Sequence, residues 1–476
     1  MNKLFNILCI IAIAGLFSCN DDDTFSTSTA NLLTMDCDTV KFGTVFTKTP
    51  TAAQYFWVRN NTNDGIRCSS IRLNRGNQSG YRVNVDGTYL GSESGYKTSN
   101  VEIRKGDSIR VFVELTAPKN YTDGKQVRED DIVFMLESGV QQKVNLNAMT
   151  WDADTVHNMH VTSDMCIDTN NRPLIIYGGI TVDSTATLTI AKGSTLYFYD
   201  TAGIDVYGKL ICDGDSTANV TLRGYRLDNM FDYLPYDMLP GHWKGIRFHS
   251  TSYGNEINYT DIHSTYDGIV CDSSDVNITK LTLANSIVHN CQGYGLYIQE
   301  AKVNIFNTQL TNTLNSTLAI YGGDITVLHT TIGQFYPLTS YRGDALYISN
   351  LINGHGTNLN FMMANSIVTG YAEDVIMGEQ MSDSLGFTYN YLFANCLLRT
   401  PAVDDSVHYR NVIWEHPDST VNGEKQFVKV DLDSLRFDFH LDTLSTARKA
   451  GNPLYLIKTN REGLMRDENN PDLGCY

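Results

Sequence analysis

Gly354-His355-Gly356 is the tripeptide in this chain that most directly invites chemistry. A His between two glycines carries an unobstructed imidazole, and inverting cleavage of a glycosidic bond beside it needs carboxyl groups about 6.5–9.5 Å apart. The nearest upstream acid is the lone Asp344, and no Lys falls between Lys302 and Lys425, so the tripeptide reads as a loop. Lyase chemistry asks for a Lys or Arg base near a neutraliser of the substrate carboxylate, often Ca²⁺ held by Asp or Glu. Lys244, Arg247 and Arg342 are the candidate bases, but no acidic ligand cluster accompanies them. The acid pairs, Asp272 with Asp275 and Glu373 with Asp374, read as turn residues that bond their own backbone. His242, His249, His263, His289 and His329 are spaced 7, 14, 26 and 40 residues apart, too unevenly for one metal-binding column. No catalytic residue, metal ligand or cofactor is assigned; Ca²⁺ enters only if the chain is a lyase.

Aromatic residues give a clearer signal. Tyr225, Phe231, Tyr233, Tyr236 and Trp243 gather around an insertion at 227–240. Flat rings beside Asn and Asp stack on sugar C–H faces while the polar groups bond hydroxyls. Tyr233, Tyr236 and Trp243 are therefore the candidate glycan contacts. The competing reading is that Tyr is a good strand former and caps strand edges.

The elements that must position these residues are short strands. From 151 onward, runs such as Leu174-Ile175-Ile176-Tyr177 and Ala186-Thr187-Leu188-Thr189-Ile190 alternate with Gly and Asp corners, a period of two that no helix fits. Ile262, Ile287, Leu310 and Ile332 recur at steps of 25, 23 and 22 residues. One such repeat is one turn of a solenoid, unable to bury its apolar side until neighbours stack on it. Asn285, Asn307 and Asn365 fall near the corners, where stacked amides can bond along the coil. The opening rungs, His242-Trp243-Lys244-Gly245-Ile246-Arg247-Phe248, and the closing Asp438-Phe439-His440-Leu441 and Pro471-Asp472-Leu473-Gly474-Cys475-Tyr476 resemble the pectate-lyase-like superfamily of right-handed parallel β-helices. That resemblance implies a β-helix over 151–476, with a closing segment lying over the last coil to shield its open edge. It implies no activity, because one fold hosts many. A Gly-His-Gly in the polygalacturonase-type members of this superfamily is preceded by Asn-x-Asp and Asp-Asp and followed by Arg-x-Lys, which are absent here.

Residues 36–150 carry seven strand-like runs, with Val111, Val113 and Leu115 on one face of the clearest. Val40-Lys41-Phe42-Gly43, Phe56-Trp57-Val58-Arg59 and Ile103-Arg104-Lys105-Gly106-Asp107 resemble Ig-like domains of the ASPM/Hydin kind, which implies a β-sandwich acting as spacer or interaction module. Ahead of it, Leu4 to Phe17 is apolar but shorter than the ~20 residues of a membrane span, which suits a signal segment at 1–18. Leu16-Phe17-Ser18-Cys19 resembles a bacterial lipobox, and Asp21, Asp22 and Asp23 resemble the surface-export signal of Bacteroidetes lipoproteins. The resemblance implies acylation of Cys19, an acidic linker at 19–35, and a cell-surface place on the outer membrane. Recurrent Asp-Ser/Thr-aliphatic triplets, among them Asp38-Thr39-Val40 and Asp433-Ser434-Leu435, resemble O-glycosylation sites of the same exported proteins and equally suit turns entering strands. Eight further Cys lack CxxC spacing and read as buried thiols.

Composition agrees with this picture. At 42% hydrophobic and 19% charged the chain is an ordinary folded one, and its net charge of −17 excludes a nucleic-acid partner held by a basic face. The expected fold is all-β, an Ig-like sandwich followed by a right-handed parallel β-helix. The expected function is a lipid-anchored, non-catalytic surface binder of glycan or another ligand; the alternative is a lyase or glycoside hydrolase acting on acidic polysaccharide.

Overall fold

The computed structural model describes residues 24–169, 172–231, 233–381 and 385–476. The expected signal segment, Cys19 and its acidic cluster lie outside the described residues. The chain is all-β and divides into two compact units, one ending at Asp152 and the other beginning at Ala153.

The first unit is a sandwich of two five-stranded sheets. One runs Thr34–Met35, Gln54–Arg59, Ser108–Leu115, Tyr81–Val85, Thr88–Tyr89; the other runs Thr39–Phe46, Gln141–Trp151, Lys125–Leu136, Ile66–Leu73, Lys97–Ile103. Alternation drives the packing: Val111, Val113 and Leu115 are fully buried in the core with Phe56, Ile71 and Phe134. Lys97–Ile103 forms the edge of its sheet beside Ile66–Leu73 and contributes Ile103 to the core. Of the expected acidic linker at 19–35, the described residues 24–35 pack on the sandwich. Leu33 is buried in the sandwich core, Arg67 covers the Phe25 ring at 4.4 Å, and Thr34–Met35 pairs with Val58 and Arg59. These apolar side chains gain more by burial than a solvated linker offers.

The second unit is a parallel β-helix of three sheets. Sheet I contains Ile204–Val206, Ile246–Phe248, Ile269–Cys271, 296–299, 318–321, Leu346–Ser349 and Ile376–Glu379. Sheet II contains Thr187–Ala191, Lys209–Asp213, Asn255–Asn258, Thr279–Ala284, 302–306, 323–328, Leu359–Ala364 and Tyr389–Ala394. Sheet III contains Thr195–Phe198, Val220–Gly224, Thr260–His263, Ile287–Cys291, Gln309–Thr313, Thr331–Gln334, Ile367–Gly370, Leu397–Leu398 and Ile413–Trp414. Ile262, Val288, Leu310 and Ile332 stack inward in one buried column, so the expected column holds at three of its four residues and Val288 replaces Ile287, which faces outward beside Asp261. Asn285, Asn307, Asn365 and Asn395 turn the corner from sheet II to sheet III with φ of 49°, 47°, 48° and 51°, a left-handed conformation Asn tolerates. Their amides bond from rung to rung: Asn285 Nδ2 donates to Asn258 Oδ1 at 2.8 Å and Asn307 Nδ2 to Asn285 Oδ1 at 3.1 Å. His329, with φ of 48°, takes the place of Asn in the row, its Nε2 3.1 Å from Asn365 Nδ2.

The C-terminal segment covers the last coils, Leu397 and Ile413 among them, and reaches well beyond them. After the hairpin Phe427–Asp431 with Arg436–Leu441, it runs back along the outside of sheet III as a strap. Phe335, Ile367 and Leu397 point outward from the coil, and Phe427, Phe439, Ala447 and Leu473 bury them. The strap is tied to the Asn corner: Asn452 N donates to Asn365 Oδ1 at 2.8 Å, Asn307 Nδ2 to Thr459 O at 2.8 Å, and Arg466 Nη2 to Asn307 Oδ1 at 3.1 Å. Tyr476 Oη donates to Gln309 Oε1 at 2.7 Å.

Candidate functional site

Sheet I keeps an outer face on which rings and charges gather. Strand alternation aims Tyr297, Tyr321 and Tyr347 outward from three successive rungs. The register sets Tyr297 and Tyr347 on either side of Ala319, with Tyr321 two residues further along the middle strand. Ala319 is small enough to disappear beneath them, and ring centroids follow one another at 5.2 Å from Tyr294 to Tyr297, to Tyr321, to Tyr347. All four rings are half-buried: held in place, with a face left over. Tyr347 Oη donates to Glu379 Oε2 at 3.1 Å, and burial raises the phenol pKa of Tyr297, Tyr321 and Tyr347, so each stays a neutral donor.

At the other end of the strip the rungs carry charge. Arg247 is ion-paired to Asp272 at 3.0 Å; His249 sits between Asp205 (2.9 Å) and Asp272 (3.4 Å) and stacks on Tyr207 at 4.0 Å. At the corner leading into sheet I, Asp267 Oδ1 accepts the Tyr294 N–H at 2.8 Å, and burial raises its carboxyl above the usual range. The strip therefore offers stacking rings, hydroxyl-bonding carboxylates and one acid held toward its protonated form.

The residues singled out from sequence are dispersed. Tyr233 is exposed and pairs with Phe231 at 5.8 Å beside a short hairpin, while Tyr236 lies half-buried under the Arg226 guanidinium at 3.5 Å. Trp243 is corrected outright as a glycan contact. Only 1% exposed, it stacks on Phe198 at 4.1 Å and donates Nε1–H to His263 O at 2.8 Å, so no ligand reaches its face. Gly354-His355-Gly356 closes a tight hairpin with Asn353 at positive φ, and the exposed His355 is remote in sequence from the charged rungs. Asp275 accepts from Asn277 N and Asp374 from Ile376 N, the turn role expected of them, whereas Asp272 belongs to the charged strip. Of the five His, His263 and His289 do share a column, in register on adjacent strands with rings 4.9 Å apart. The eight described Cys are all unpaired, and burial pushes Cys68, Cys212, Cys271, Cys291 and Cys396 up to about 12, leaving inert thiols. Sequence reasoning missed the Tyr strip because its members, 24 and 26 residues apart, stand out only once the rung lengths are known.

No protein-family model matches this chain. No curated protein matches it either. Among solved structures, it is similar to the ASH/PapD-like domain 7 of human CEP192 (12% identity, TM-score 0.17, 29% of this chain and 96% of that one). A family 123 glycoside hydrolase from Clostridium perfringens matches at 7% identity and TM-score 0.18, over 27% of this chain and 26% of that one. The catalytic unit of a GH87 α-1,3-glucanase from Streptomyces thermodiastaticus matches at 14% identity and TM-score 0.27, over 72% of each chain. At these scores none bears on activity; the β-helix stands on its own strand register.

Proposed function

We propose that this chain is a glycan-binding surface protein whose binding platform is the outer face of sheet I. The observation that carries the reading is the row Tyr297, Tyr321, Tyr347, three rings held at 5.2 Å intervals on neighbouring rungs. Sugar rings stack on such surfaces, and Asp205, Asp272 and Glu379 accept their hydroxyls. Because Arg247 is already paired with Asp272, the strip favours a neutral glycan over a polyuronate. On an array of immobilised neutral and acidic polysaccharides, retention on a neutral glycan is the expected result. Tyr321→Ala weakens it about tenfold, roughly 1.4 kcal/mol, and Tyr233→Ala leaves it unchanged. Undiminished retention in a Tyr297→Ala, Tyr321→Ala, Tyr347→Ala triple variant refutes the platform.

A glycoside hydrolase is the second reading, and Asp267 is what favours it. A carboxyl raised by burial beside the sugar platform is poised as a general acid, with Asp272 as the carboxylate across the strip. Reducing ends released by the wild-type chain and abolished by Asp267→Asn decide for the enzyme. Binding comes first because Asp272 is occupied by Arg247.

The place of action follows from the lipobox-like Leu16-Phe17-Ser18-Cys19. Acyl chains on Cys19 anchor the protein to the outer membrane, each buried CH₂ contributing about 0.8 kcal/mol. Cys19→Ala is expected to abolish palmitate labelling and release the protein from the membrane fraction. Unchanged labelling and fractionation rule the anchor out.

A further inference from the structure

The geometry points to a divalent transition-metal site, of the kind that takes Zn²⁺, on the outer face of sheet III at Asp261, His263 and His289. It is independent of the glycan reading. Alternation on Thr260–His263 and Ile287–Cys291 sends Ile262 and Val288 into the core and aims these three side chains outward. One donor atom from each lies within 4.8 Å of the others: Asp261 Oδ1 is 2.8 Å from His263 Nδ1 and 3.1 Å from His289 Nε2.

The insertion completes the arrangement. His263 Nε2 is 2.7 Å from Asp237 Oδ1, and Arg223 holds Asp237 at 2.8 Å. Without an ion His263 donates from both nitrogens, Nε2–H to Asp237 and Nδ1–H to Asp261; an ion at Nδ1 takes the place of that one proton while Asp237 keeps Nε2–H. A carboxylate that fixes the far nitrogen of a ligating His is the usual outer partner of a metal-bound imidazole. Two imidazoles and one carboxylate suit Zn²⁺, whereas Ca²⁺ takes six to eight oxygens. Tetrahedral bonds of about 2.0–2.2 Å set donors roughly 3.3–3.6 Å apart, so Asp261 Oδ1 moves outward from each imidazole by roughly 0.2–0.8 Å and the two imidazole nitrogens, now within 4.8 Å of each other, come to the same spacing. His263 is 7% exposed, but His289 and Asp261 are 21% and 29% exposed, which leaves an ion a way in. Binding displaces the proton otherwise shared within the cluster, and it pins two rungs and the insertion together.

The test uses the full chain without a polyhistidine tag, stripped with chelator and dialysed against Zn²⁺ or Ca²⁺. One equivalent of Zn²⁺ and no Ca²⁺ is expected, with a visible Co²⁺ absorption of tetrahedral type when Co²⁺ replaces it. His289→Ala, at a partly exposed position and with folding checked by circular dichroism, loses the equivalent. His355→Ala keeps it, and Asp237→Asn weakens it about 10–100-fold, the effect of losing a positioning carboxylate. Zn²⁺ uptake unaltered by His289→Ala, or no uptake by the folded wild-type chain, overturns the site. In the latter case a proton alone holds the cluster together.

Discussion

Trp243→Ala lowers the stability of the β-helix by about 3–5 kcal/mol, the cost of deleting a fully buried large aromatic side chain. The indole fills the corner where the insertion returns to the coil and lies almost parallel to Phe198, 9° between planes. Its removal leaves a cavity and strips His263 O of the Nε1–H donor at 2.8 Å. Repacking has little freedom, because Gly245, two residues on, has φ of +92° and sits so close to the Asp267 carbonyl that an added Cβ would lie 1.7 Å from its oxygen. Trp243→Phe keeps part of the stack and loses the hydrogen bond and part of the buried ring volume, a smaller cost of about 1–3 kcal/mol. Urea unfolding followed by circular dichroism reads both variants. A loss below about 1 kcal/mol for the Ala variant would show that the ring is replaceable. The same measurement guards the glycan assay, since weak retention by this variant reports a damaged coil rather than a missing contact.

Acid should loosen the β-helix through His329. The imidazole is wholly buried under the strap, and burial together with nearby Arg466 lowers its pKa to about 3 from an ordinary 6.5. Below about pH 6.5 the unfolded chain takes up a proton that the folded chain refuses. The stability is therefore present in full above about pH 6.5 and is lost at roughly 1.4 kcal/mol per pH unit toward pH 3. Between about pH 6.5 and 5 the loss is on the order of 2 kcal/mol. His329→Asn removes the titration and restores to the row the residue type its left-handed φ of 48° suits. Its unfolding free energy should fall less steeply over that range than that of the wild type, other titrations cancelling in the comparison. Equal slopes would show that His329 is not the acid-sensitive group.

The fold was far more legible than the site. The inward column Ile262, Ile287-Val288, Leu310, Ile332 is written by the same physics that builds it, an aliphatic residue needed once per rung, so its period survives in the sequence even with the register off by one at Ile287. Outward positions carry no such demand. Tyr297, Tyr321 and Tyr347 differ little in sequence context from the chain's other Tyr residues, and only the register over Ala319 selects them. His263 and His289 are one rung apart, but rung lengths vary, so uneven spacing hid a true column. Trp243 was misread because an aromatic beside an insertion looks exposed until its stacking partner, Phe198, is known to lie one rung away.

The strap changes what kind of object the coil is. A solenoid whose rungs touch only their neighbours behaves as a one-dimensional array, free to fray from either end or to open in segments. Here Asn452 bonds at both Asn365 and Asn395, while Thr459 and Arg466 bond at Asn307, so separated rungs share a single fastener. Opening any of them must also lift the strap and wet Phe335, Ile367 and Leu397. Nearest-neighbour coupling thereby becomes long-range coupling: the later rungs melt as one block, and that block is complete only when the strap, last along the chain, has been laid down.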